Sequence, residues 1–401
     1  MRHCRLCHAD RLRPVIDLGA MPIAHRMLKK PDQSEERFPF AVTVCEACGL
    51  QQIAEPIDPD ILYRDFNFNF SSWKVEPHEP DELDTIHSFL KPEKVFEIGC
   101  NDGRFMDELR KRGAKALVGV EPNSVSSEIA RKRGIEVYHD MLSPAITRGA
   151  VAKHGKFDLV VSRQVLEHIG DFENFFECVD IALADDGYLF IAVPDFTPGR
   201  AAGDVSVLWE EHVNYFTEET LLALLKRKGF EPLSVKKYNF SGGSLAVAAR
   251  RSKLKPQAFD DAASAESAEK FGRLAREYGR RLVPALKRLR DKGTQVVIYG
   301  AGCRACTFTN AFELGSLIEF SIDDQQERQG LFMPGSRIEI RSPDELKRSS
   351  SPVVCLLAVN NENEAKVSAK LKDMQLKRPL TIVSIFAPAD IWRELDRLEA
   401  L

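Results

Sequence analysis

The sequence predicts an α/β protein of two mostly parallel-sheet units led by a small metal-binding module, and three observations carry that prediction. Four cysteines stand as two C-x-x-C pairs, Cys4 with Cys7 and Cys45 with Cys48. From about residue 75 to 250, short apolar runs alternate with amphipathic stretches, the pattern of strand-helix-strand units. After a long amphipathic helix predicted near 267 to 291, the same alternation restarts.

Composition bounds the functional classes. The chain has 401 residues, 44% hydrophobic and 29% charged, which suits an ordinary globular protein of two or three domains. A net charge of -4 gives no electrostatic footprint for nucleic acid, so an anionic ligand must be held by helix N-termini and single arginines. No apolar run reaches the length of a membrane span, and Arg2, His3 and Cys4 do not open a secretory leader. Nine cysteines, an odd count, fit a reducing compartment better than a disulfide framework, so a cytoplasmic location is expected.

The first module, residues 1–72, is Pro-punctuated and Cys-bearing. Each C-x-x-C knuckle presents two thiolates, and two knuckles complete a closed tetrahedral Zn²⁺ site of structural type, with no open position for a substrate. His3 and His8 stand close enough in sequence to compete as ligands, but four thiolates need no help. The module ends in Phe66-Asn67-Phe68-Asn69-Phe70-Ser71-Ser72-Trp73, which reads either as a strand and packing seam or as the wall of a ligand pocket.

The central domain, residues 73–250, has strand patterns at Lys94 to Ile98, Ala116 to Val120, Phe157 to Ser162 and Tyr188 to Val193. The first leads into Glu97-Ile98-Gly99-Cys100-Asn101-Asp102-Gly103, an acid followed by glycines at a strand-to-helix turn, where a ligand can approach the backbone. The second ends in Glu121-Pro122, placing a carboxylate where it can accept both hydroxyls of a ribose. In Tyr138-His139-Asp140-Met141, the acid suits an adenine amine and Met141 suits its ring face. Gln164 opens the loop after the fourth strand, which continues to His168. Beyond the fifth strand, Trp209-Glu210-Glu211-His212-Val213-Asn214-Tyr215-Phe216 puts a Glu-His pair at the sheet edge where such folds bind ligands, ahead of a helix capped by Thr217. The same residues also read as a surface loop with a histidine stacked on Tyr215.

In the last domain, residues 251–401, Arg250 to Glu266 reads as a linker. Strands are expected at Gln295 to Tyr299, Ile318 to Ile322, Val353 to Val359 and Leu380 to Ile385. The turn Gly300-Ala301-Gly302-Cys303-Arg304 suits a phosphate, although the full G-x-G-x-x-G is absent. Cys303 and Cys306 form a third C-x-x-C with no partner pair nearby and read as packing residues at a helix start.

The series of E-I-G-C-N-D-G, G-V-E-P, Y-H-D-M and the fourth strand resembles, in order, class I S-adenosylmethionine-dependent methyltransferases. Over nearly the whole chain, with L-E-H-I at 166 to 169, E-H-V-N-Y-F, Gly242-Gly243-Ser244, Ile322-Asp323-Asp324, Gln329-Gly330 and Met333-Pro334-Gly335, it resembles the sugar C-methyltransferases of nucleotide-linked 4-keto deoxyhexoses. That resemblance implies a class I Rossmann-like central domain and a second Rossmann-like domain for the nucleotide sugar. It implies S-adenosylmethionine at Glu97, Gly99, Asn101, Gly103, Glu121, Pro122, Asp140, Met141 and Gln164, and structural zinc on the four cysteines. It further implies His212 as the base that removes a proton from sugar C3, aided by Glu211 and His168. Phe70, Ser72, Trp209 and Tyr215 would meet the sugar, and Gly300, Gly302 and Arg304 the pyrophosphate. Two departures stand out: Trp209 replaces a family tyrosine, and the stretch 66 to 72 carries phenylalanines where relatives have a tyrosine. A nicotinamide-dependent sugar oxidoreductase, a methyltransferase of another small acceptor, and a zinc-bearing module acting on a macromolecule remain alternatives. The oligomeric state is open, a monomer being compatible.

Overall fold

The computed structural model describes residues 3–63, 76–252, 262–348 and 350–401. Three sheets organise it. In the first, Leu12–Pro22, Arg37–Cys45 and Gln51–Ile53 pair antiparallel, and a fourth strand, Asn214–Tyr215, joins from the central domain. The alternating pattern of Arg37–Cys45 buries Phe40, Val42 and Val44 on one face, as a half-covered antiparallel strand should.

The central sheet has seven strands in the order Phe230–Tyr238, Ser244–Arg251, Leu183–Pro194, Phe157–Arg163, Lys94–Ile98, Ala116–Val120, Glu136–Tyr138. Only Ser244–Arg251 runs antiparallel to both neighbours. This mixed order is that of the class I methyltransferase fold. The central strands read as continuous apolar runs because helices cover both faces. The third sheet is wholly parallel, ordered Ile340–Arg341, Ser321–Ile322, Gln295–Tyr299, Val353–Leu357, Leu380–Ser384.

Two sequence expectations shift. Helix Ala262–Asp291 starts inside the stretch read as linker, and it is no solvated spacer. It buries Phe271, Ala275, Tyr278 and Leu282 in one core with Val15, Val42 and Val44 of the first sheet and Val296, Ile298 and Leu356 of the last. At Gly272 a Cβ would stand 2.2 Å from the Val15 carbonyl oxygen, so a glycine is what lets helix and strand approach. The strand expected at Ile318 to Ile322 is only Ser321–Ile322. No helix among the described residues is long and apolar enough to cross a membrane.

Candidate active site and metal centre

The four cysteines converge. Cys4 and Cys48 sulfurs are 3.5 Å apart and those of Cys7 and Cys45 3.4 Å, while all four sulfurs fall within 4.8 Å of one another. A tetrahedral Zn²⁺ with bonds of about 2.3 Å requires edges of roughly 3.8 Å. Donor type, number and spacing therefore fit structural zinc. His8 turns away to Glu173, at 3.2 Å.

The glycine turn of the central domain holds a strained, ligand-ready path. Gly99 has φ +72°, and a Cβ there would lie 2.3 Å from Val165 Cγ2. Asn101 takes a positive φ of 48°, and Gly103, at φ +75°, starts helix Arg104–Lys111. The Asn101 N–H donates to Glu121 Oε2 at 2.9 Å and the Asn123 N–H to Glu121 Oε1 at 2.7 Å. Backbone thus fixes the carboxylate at the tip of the second strand. Burial raises Glu121 to about 7.

Glu97 is buried, its Oε2 lacks a partner among the described residues, and burial raises its carboxyl to about 8. An orphaned acid beside the glycine turn fits a cationic, amine-bearing ligand, as S-adenosylmethionine is. Asp140 accepts the Met141 N–H at 2.8 Å, and both residues lie exposed at the end of the third strand. Pro122 offers its carbonyl oxygen to His139. Gln164, at φ +54°, reaches Ser244 across the strand ends.

Beneath the turn the structure adds a residue that sequence reasoning missed. Arg163, at the end of Phe157–Arg163, lies over the Phe105 ring at 4.2 Å and pairs with Glu82 and Glu76. It balances a buried carboxylate cluster, and nothing in the sequence pattern singles it out.

The histidines meet. His168 and His212 rings stand edge to face with centroids 4.9 Å apart, and Trp209 lies 4.7 Å from His212. His168 Nδ1 is 2.9 Å from the Glu211 carbonyl oxygen, which can only accept, so Nδ1 carries the proton and the unprotonated Nε2 lies 3.8 Å from Glu167 Oε1. The Tyr63 hydroxyl is 3.0 Å from the same nitrogen. Burial lowers His168 to about 4 and His212 well below its usual value, so both are neutral near pH 7. Glu167, buried beside them, makes no hydrogen bond through either carboxyl oxygen among the described residues.

The structure corrects several expectations. Glu211 does not orient His212: its carboxyl meets His25 Nδ1 of the zinc module at 2.6 Å. Burial raises Glu211 to about 8 and lowers His25 to about 4, so the proton of that pair rests on the acid. Tyr215 is a core residue, 4% exposed, packed on Phe196, with its hydroxyl accepting from the Trp209 N–H and donating to the Trp209 carbonyl. It therefore shapes the loop rather than facing a ligand.

Arg304 is committed as well. It pairs with Asp204 at 2.9 Å, donates to Ser206 Oγ and lies 4.2 Å over the Phe386 ring, tying the last domain to the central one. Gly300, at φ +108°, exists for packing, since a Cβ would meet the Ala358 carbonyl oxygen at 2.4 Å. Gly302 faces open space at the N-terminus of helix Cys303–Ala311. Cys303 and Cys306 are held as thiols by burial. Phe70 and Ser72 lie outside the described residues.

Similarity to known proteins follows this layout. Residues 4–63 match the family described as "Putative zinc binding domain", residues 72–235 a "Methyltransferase domain" and residues 239–383 a "C-methyltransferase C-terminal domain". The chain is an S-adenosylmethionine-dependent methyltransferase. It is 28% identical over 376 residues to the C-methyltransferase NovU of Streptomyces niveus, covering 89% of each chain. A ubiquinone biosynthesis O-methyltransferase of Chelativorans sp. is 30% identical to this methyltransferase over 100 residues, 25% of this chain and 39% of that one. Among solved structures, the N-methyltransferase NodS of Bradyrhizobium japonicum aligns at 16% identity with a TM-score of 0.33, over 44% of this chain and 95% of that chain.

Proposed function

We propose that this methyltransferase transfers a methyl group to carbon, at C3 of a nucleotide-linked 4-keto deoxysugar. The observation that carries the proposal is the pair of neutral imidazoles, His168 and His212, at the C-terminal edge of the central sheet, on the side of the glycine turn. Similarity to NovU along nearly the whole chain supports it.

A C4 ketone acidifies the C3 proton, and His212, uncharged and half-buried, is able to take it. Bound S-adenosylmethionine supplies the electrophilic methyl group. His168, its Nδ1 proton committed to the Glu211 carbonyl, packs edge to face on His212 and holds that ring in place to receive the C3 proton. Glu97, Gly99, Asn101, Gly103 and Glu121 hold the cofactor, with Asp140, Met141, Pro122 and Gln164 at the rim. Zinc on Cys4, Cys7, Cys45 and Cys48 is structural. Trp209 lies on the imidazoles and presents an aromatic face to the sugar. Gly302 is the remaining pyrophosphate contact in the last domain, since Arg304 is spent internally.

The test is to incubate the protein with methyl-labelled S-adenosylmethionine and a nucleotide-linked 4-keto-6-deoxyhexose, and to locate the label by NMR and mass. A new methyl carbon on C3 is expected. Label on oxygen or nitrogen, or none on the sugar with S-adenosylmethionine bound, would refute the acceptor.

A further inference from the structure

The strand that follows His212 belongs to the zinc module's sheet. Gln51 pairs with Tyr215 and Gln52 with Asn214, and the Ile53 N–H donates to the Val213 carbonyl at 3.0 Å. Arg5, the residue after Cys4, reaches the same place: its Nη1 donates to the Val213 carbonyl at 3.0 Å and its Nη2 to the Ile53 carbonyl at 2.8 Å. Its backbone N–H is held by Gln52 Oε1 at 3.0 Å. On the other side of the strand, Asn214 Nδ2 donates to the Ile169 carbonyl at 2.8 Å, next to His168. Val213 thus sits between the metal module and both imidazoles.

Arg5 is 5% exposed, and among the described residues no carboxylate pairs with it. A guanidinium buried on neutral carbonyls is costly unless an opposite charge lies near. A Zn²⁺ ion with four thiolates carries a formal charge of -2, and Arg5 is bonded in sequence to one of the four ligands. Cys4 is the foremost group whose negative charge would favour that guanidinium, so a tetrathiolate centre can serve as its counter-charge.

We propose that Arg5 is a positioning residue that couples occupancy of the zinc site to the placement of His212 and His168. With zinc bound, Arg5 is held at the Val213 and Ile53 carbonyls, and the turn Trp209 to Val213 keeps its path. Without it, the fork loses its counter-charge and the turn relaxes. The assignment of His212 as base rests on the function proposed above; the placement of the rings does not.

The experiment uses the full chain with ¹⁵N-labelled histidine. Ring-nitrogen resonances are recorded for wild type, for chelator-treated wild type, and for Arg5→Met and Arg5→Lys, together with zinc content, S-adenosylmethionine affinity and turnover. Arg5→Met is expected to keep zinc and bind S-adenosylmethionine within about twofold of wild type, yet shift the His168 and His212 resonances. Turnover should fall on the order of tenfold or more with KM for the sugar little changed, since small misplacements of a reacting group cost that much. Arg5→Lys should recover part of it, and chelation should move the same two resonances.

Unmoved rings in Arg5→Met and in the chelated protein would overturn the proposal. So would parallel loss of zinc, cofactor binding and thermal stability, the mark of a merely structural arginine. If Arg5→Met does not fold, Arg5→Lys and the chelated wild type decide by the same ring shifts. Ring shifts as expected with no turnover on the sugar would leave Arg5 in its role and refute the acceptor instead.

Discussion

Glu121→Gln separates cofactor binding from folding within one side chain. Each Glu121 oxygen accepts one backbone N–H, from Asn101 at 2.9 Å and Asn123 at 2.7 Å. Glutamine keeps one acceptor and turns a donor toward the other N–H, which leaves a buried amide unsatisfied at a cost of about 1–3 kcal/mol. The ribose hydroxyls also lose a charge-assisted acceptor, roughly a further 1 kcal/mol. The unsatisfied amide costs the free and the bound protein alike, so it is read in stability, and the lost acceptor alone sets the binding change: at about 1.4 kcal/mol per tenfold, S-adenosylmethionine should bind roughly fivefold more weakly.

The ligand-free protein gives a second reading. The Glu121 carboxyl is raised from 4.5 to about 7, so between those pH values the folded chain keeps a proton that the unfolded chain has lost. Stability therefore declines across that window, by up to about 3 kcal/mol, and glutamine removes the decline. Calorimetric titration and melting at pH 5 and pH 7.5 would measure both. An unchanged affinity, or a stability difference between variant and wild type that does not move toward the variant as pH rises, would refute the reasoning.

Three further outcomes follow from the same geometry. Gly99→Ala imposes a side chain at φ +72° and drives a methyl group into Val165, so it should lower stability by roughly 2–3 kcal/mol and weaken S-adenosylmethionine binding, read by melting and titration. Cys45→Ser should abolish stoichiometric zinc in metal analysis and lower the melting temperature, because thiolate zinc sites contribute folding free energy directly. His25→Ala removes the partner of the buried Glu211 carboxyl and should slow methyl transfer about tenfold or more through displacement of the Glu211 to His212 segment, with cofactor affinity unchanged by titration.

Much of the fold is legible because buried parallel strands leave continuous apolar runs. Lys94–Ile98, Ala116–Val120 and Gln295–Tyr299 have the bounds their sequences suggest. The linker reading failed at its C-terminal end, where alanine, the strongest helix former, stands among Ser and Asp: helix Ala262–Asp291 begins there. The strand Asn214–Tyr215 has two residues and a partner far away in sequence, so no local pattern announces it.

At the site, the cysteine cluster, the Glu121 clamp and the meeting of His168 with His212 rest on motifs visible in the chain. Pairing of Glu211 with His25 does not, because sequence adjacency favours His212 while the partner comes from far away in the chain. Tyr63 and Arg163 carry no motif at all, and only the folded chain brings them to His168 and to the carboxylates under the glycine turn.

Exchange at C3 tests the central claim most directly. The protein is incubated in D₂O with S-adenosylhomocysteine and a nucleotide-linked 4-keto-6-deoxyhexose, and the C3 proton is followed by NMR for wild type and His212→Ala. Deuterium should enter C3 with wild type and not with the variant, whose cofactor affinity is unchanged. Methyl transfer by wild type without any exchange at C3, or exchange by His212→Ala at the wild-type rate, would contradict an enolate formed by His212.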